Sequence, residues 1–122
     1  KHRCKDLLSF VSGAEEIFQN ILNIDRIFQT GIKTDVIYLI YDELIDIRSS
    51  LKELHNKGVL IIGSSGGYED IEQLLIKVKK AKTNLKYNEK INEYQADDVV
   101  KILVLLYNLE DLLKRLRSMK RN

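Results

Sequence analysis

Four stretches of the chain keep a three-four spacing of apolar residues with hardly a break. They run Leu7, Phe10, Ala14, Ile17, Ile21, Ile24, Phe28; then Ile37, Ile40, Leu44, Ile47, Leu51, Leu54; then Ile71, Leu74, Val78, Ala81, Leu85; and last Val99, Ile102, Leu106, Leu109, Leu113, Leu116. At 3.6 residues per turn such positions fall on one side of an α-helix, so each stretch carries a stripe to bury. The spacing predicts helices over about Lys5–Gln29, from Thr34 as N-cap to about Lys57, over Tyr68–Tyr87 and over Asp97–Met119. Four stripes can bury one another, and short connections favour antiparallel neighbours. The expected fold is all-α: an antiparallel four-helix bundle, up-down-up-down.

Punctuation between the stretches supports these bounds. Gly31 past the first stretch and Gly58 past the second supply the left-handed conformation that closes helices, with Ile32 and Val59 placed to fold back on Ile27 and Leu54. Thr34 and Asp35 suit the start of the second helix; Glu69, Asp70 and Glu72 suit the positive end of the third. Between Gly58 and Tyr68, Val59–Ile62 are expected to cover the open end of the bundle, and Gly63-Ser-Ser-Gly-Gly67 reads as a connector. Asn88 and Asn92 mark an interruption before the fourth helix. The stripes differ in width. The fourth helix is apolar nearly all round from Val99 to Tyr107, which predicts a central spine; the third is the narrowest and predicts a solvated wall.

Composition narrows the class. A chain of 122 residues is expected to form one domain, residues 1–122; it is 44% hydrophobic and 31% charged, enough to bury a core. Proline is absent, in keeping with long helices. A net charge of +2 exerts no strong pull on polyanions, and the lone Cys4 excludes an internal disulfide. The start at Lys1, without a charged-then-apolar leader, suggests a piece of a longer or processed protein. The longest apolar run, Ile102–Tyr107, falls far short of a membrane span, so a soluble domain is expected, in a compartment left open between intracellular and exported.

Candidate chemistry is sparse. Arg48 and His55 lie two turns apart on one face of the second helix, with six residues between them. The pair resembles the arginine–histidine arrangement of HEPN-type helical ribonucleases. That resemblance implies a dimer cleft in which both residues act on an RNA phosphate; the polar residue that often follows the arginine in that family is Ser49 here. The plainer reading pairs Arg48 with Glu43 or Asp46 and sets His55 at the core's edge. Gly63–Gly67 lacks the Gly-Lys-Ser/Thr of a phosphate loop, and Glu69 and Asp70 would repel an anion there. His2, Cys4 and His55 give no zinc spacing, and carboxylate pairs such as Asp42 with Asp46 or Asp97 with Asp98 suit solvated faces and helix starts. No catalytic residue, metal or cofactor is assigned, and the expectation is a non-enzymatic domain.

Two surfaces remain. Lys77, Lys79, Lys80, Lys82 and Lys86, continued by Lys90, make the third helix the most basic internal segment and would suit nucleic acid. Arginine is absent from that row, and no aromatic interleaves it before Tyr87, which equally describes a solvated face. On the second helix the seam leaves Tyr38, Tyr41 and Ile45 on an adjoining strip, and the first stretch has a similar surplus in Leu8, Val11, Phe18 and Leu22. Tyrosines at such positions favour interfaces. The preferred reading is a protein–protein interaction domain docking another protein, or a second copy, through Tyr38, Tyr41 and Ile45. Nucleic-acid binding stands second.

Overall fold

The computed structural model describes residues 36–60 and 66–120, together with Glu15, Gln19, Leu22, Asn23, Asp25 and Arg26. Every regular element among the described residues is helical. The order is α1 (Val36–Leu39), α2 (Tyr41–Asn56), α3 (Tyr68–Lys86), a 3-10 turn (Ile91–Glu93) and α4 (Ala96–Lys120). The six amino-terminal residues are also helical and fall inside the predicted first helix; the rest of that helix, with Gly31, Ile32, Thr34 and Asp35, lies outside the described residues. No helix among the described residues is long and apolar enough to cross a membrane.

The predicted second helix is interrupted. Ile40 leaves the helical region at φ −134°, ψ 30°, and its N–H turns back to the Ile37 carbonyl at 3.1 Å before α2 begins. The run Val36-Ile-Tyr-Leu-Ile-Tyr41 explains the break, since β-branched and aromatic side chains lose rotamer freedom in a helix. The break also lets Val36, Ile37 and Ile40 all reach the core.

The stop of α2 follows the glycine. Gly58 has φ 73°; its N–H bonds the His55 carbonyl at 3.1 Å, and the Val59 N–H bonds the Leu54 carbonyl at 3.0 Å. These are the two bonds of a Schellman motif. Val59 packs against the core and Leu60 is buried, as the cover of this end requires; Ile61 and Ile62 lie outside the described residues. Gly67, at φ 88°, then starts α3 directly over Val59.

The fourth helix holds more buried residues than the third, as a spine would, but the contacts change the place of the third. Within the described residues α3 packs against both α2 and α4, so the helix with the narrowest stripe occupies the middle. It buries Ile71, Leu74, Leu75, Val78, Ala81 and Leu85. The fourth helix is not buried all round: Val99, Ile102, Leu106 and Leu109 face the core, whereas Val100 and Val104 are 52% and 50% exposed and Tyr107 is also exposed. Residues 100 and 104 share a face roughly opposite the seam, which no described helix covers, whereas Tyr107 meets Lys82 and Lys86 of α3. Between α3 and α4, Ile91 and Tyr94 pack on the core, and the Asn88 carboxamide oxygen accepts the Lys90 N–H at 2.9 Å.

Polar contacts tie the helices. Glu72 near the start of α3 meets Arg117 near the end of α4 at 2.6 Å, Lys82 meets Glu110, and Lys86 at the end of α3 meets Tyr107 at 2.7 Å. Across α2 and α3, Glu43 accepts from Asn84 at 3.0 Å, and Asp46 and Ser50 accept from Lys77 at 3.1 and 3.0 Å.

Candidate interaction face

Tyr38, Tyr41 and Ile45 stand beside the buried line Ile37, Ile40, Leu44, and are 74%, 41% and 36% exposed. The break at Ile40 separates Tyr38 from Tyr41 in the backbone but not in space: their ring centroids are 6.2 Å apart with planes inclined by 33°. Two tilted aromatic rings followed by an aliphatic make a small apolar ledge with polar hydroxyl tips, chemistry suited to a protein surface.

One turn further along that side, the ledge becomes basic. Tyr41, Ile45, Arg48 and Lys52 succeed one another at helical spacing, and Asp25 from the amino-terminal segment sits at the basic end. Its Oδ1 lies 2.7 Å from Arg48 Nε and 3.5 Å from Lys52 Nζ. That oxygen is buried without an aligned hydrogen-bond donor, so the contact acts as an ion pair. Arg48 therefore faces neither Glu43 nor Asp46, the carboxylates expected from its own helix. Those two are engaged across the other side of α2 with Asn84 and Lys77. His55 is exposed near the end of α2, not at the core's edge.

The lysines of α3 part in three directions. Lys77 turns to α2; Lys82 and Lys86 turn to α4, with Lys82 over the Tyr107 ring at 4.2 Å from its centroid; Lys79 and Lys80 remain exposed. The Lys86 ammonium donates to the Tyr107 hydroxyl, and this bond lowers the phenol's pKa while raising that of Lys86. Glu110, only 6% exposed, lies between Lys82 and Lys114, whose Nζ is 3.2 Å away. Burial pushes its carboxyl up, but the hydrogen bonds and charges of the two lysines outweigh it, and the pKa falls below the usual carboxylate range. Glu110 belongs to no motif in the sequence. The signal was available, because position 110 lies four residues after Leu106 and three before Leu113, inside the buried stripe.

A shallow groove of ≈ 140 Å³ runs between α2 and α3, lined by Ser50, Glu53, Leu54, Lys57, Asp70, Gln73, Leu74 and Lys77. Both of its lysines are already paired: Lys57 bonds Glu53 at 2.9 Å, which raises the lysine's pKa, and Lys77 bonds Asp46. No group of three or more histidines, cysteines, aspartates or glutamates among the described residues is placed to hold a metal ion; His2 and Cys4 lie outside them. Comparison with protein-family models, with curated proteins and with solved structures finds no match for this chain.

Proposed function

We propose that the chain is a non-enzymatic protein-interaction domain, an antiparallel four-helix bundle, up-down-up-down, that docks a protein partner on the ledge of Tyr38, Tyr41 and Ile45. The bundle reading draws support from the polar pairs that link α2 to α3 and α3 to α4. In both sets the partners run in opposite chain order, as in Glu72–Arg117 against Lys86–Tyr107. The helical residues around Asp25, held against Arg48 and Lys52, are consistent with a fourth helix beside α2.

The observation that carries the docking reading is the exposure of two adjacent tyrosine rings next to a fully buried seam. Leaving such area in water costs roughly 25 cal/mol per Å², and covering it with a partner recovers that cost. The nucleic-acid reading draws less support. That reading rests on the α3 lysines and the basic carboxy-terminal turn; Lys77, Lys82 and Lys86 already make intramolecular contacts, and Lys114, Arg115 and Arg117 pair with Glu110, Asp111 and Glu72, which leaves Lys79 and Lys80 as the exposed lysines of the α3 row. The ribonuclease reading loses ground because Asp25 offsets the charge that Arg48 would bring to a phosphate.

The test is a variant with Tyr38→Ser, Tyr41→Ser and Ile45→Asn, compared with the parent chain by apparent mass in a native extract and by thermal melting. The expected result is a parent assembly larger than one chain and a variant that runs as the monomer with a melting temperature within a few degrees. A variant that keeps the parent's mass, or a parent that runs as a monomer, overturns the reading.

A further inference from the structure

A buried ion pair joins α3 to α4. Glu110 is the sole charged residue among the buried ones described, and its two carboxylate oxygens are held from opposite helices: Oε2 by Lys82 of α3, Oε1 by Lys114 one turn on in α4. Lys82 is itself largely buried, with its ammonium also over the Tyr107 ring, and Lys86 extends the cluster through the Tyr107 hydroxyl. The charged and titratable groups that face Glu110 are therefore Lys82 from α3 and Lys114 and Tyr107 from α4. Nothing acidic shares the cluster among the described residues, so Glu110 alone balances two ammonium groups.

From this geometry we infer that Glu110 is an acid-released catch: while ionised it holds α4 against α3, and on taking up a proton it leaves the largely buried Lys82 without its carboxylate, while solvent still reaches Lys114, and lets α4 loosen. Buried charges tolerate loss of a partner poorly, because the remaining ion has left water without compensation. The sign follows from the lowered carboxyl pKa. The stabilisation is complete above the pKa of an unfolded glutamate and is lost as pH falls through the lower value held in the fold. The neighbouring helix pair differs. Asp46 and Lys77, which join α2 to α3, are more exposed, and solvent screens that pair at either protonation state.

Amide hydrogen exchange over α4, corrected for intrinsic rates, tests this on the full chain between pH 6.5 and pH 3. In the parent, protection over residues 99–116 is expected to fall by on the order of tenfold or more beyond any fall over α2, the scale of one lost charge-assisted hydrogen bond. Glu110→Gln is expected to show lower α4 protection at pH 6.5 and little further loss on acidification. Should that variant fail to fold, the double variant Glu110→Leu with Lys82→Leu replaces the pair by apolar side chains and is expected to stay folded, with α4 losing less protection in acid than in the parent, the Glu72–Arg117 pair between the same helices being retained. An α4 that loosens with acid equally in parent and variants, or a parent in which α2 and α4 loosen together, overturns the inference.

Discussion

At Gly67 one absent methyl group decides whether the turn before α3 can close. A Cβ there would lie 2.3 Å from Val59 Cγ1, and the backbone sits at φ +88°, where side chains are strained. Gly66 shares the positive φ but has nothing within 4 Å. Gly67→Ala is thus expected to cost about 2–4 kcal/mol in denaturant unfolding and Gly66→Ala about 1 kcal/mol. Equal costs would mean that the clash with Val59 is relieved freely. Tyr107 offers a titration. Its phenol should ionise below the usual tyrosine range in the absorbance of the folded chain, and Lys86→Met should move it back up, because the Lys86 hydrogen bond is the chief cause of the shift. A Tyr107 titration unaltered by Lys86→Met would remove that cause.

At the scale of elements, α4 has two apolar faces of unequal fate. Leu106 is fully buried and Val104 half exposed, so Leu106→Ala is expected to destabilise by about 2–5 kcal/mol and Val104→Ala by about 0.5 kcal/mol or less. Similar losses would show Val104 to be packed. The place of Leu106 on the seam was legible in the spacing, but the exposure of Val104 was not, since Val99 to Tyr107 reads as apolar all round; periodicity reports that a stripe exists, while the packed neighbours decide how much beyond it is covered. The ends of α3 and α4 were legible to within a residue, and so was the stop at Gly58 and Val59, because glycine and the fold-back residue act locally. The break at Ile40 was signalled only by a cluster of β-branched residues that a clean seam pattern outweighed. The Asp25–Arg48 pair and the Glu110 cluster are contacts between elements, and spacing within one helix carries no trace of a distant partner.

For the whole molecule, charge and apolar surface are distributed unevenly around the described helices. The α2–α3 and α3–α4 seams are laced by paired charges, whereas the Tyr38, Tyr41 and Ile45 ledge has a basic end occupied by Asp25. If nucleic acid were the partner, affinity for RNA or DNA would collapse between 50 and 200 mM salt, as expected for several phosphate contacts; the account predicts no such binding at either salt, and a steep salt-sensitive titration would contradict it. The most direct test of the central claim places a photo-crosslinking side chain at Tyr38, and separately at Lys79 and Val104, in the cell that makes the protein. The account predicts a discrete protein adduct from position 38 and none from 79 or 104. No adduct at 38, or equal adducts at all three positions, would contradict it.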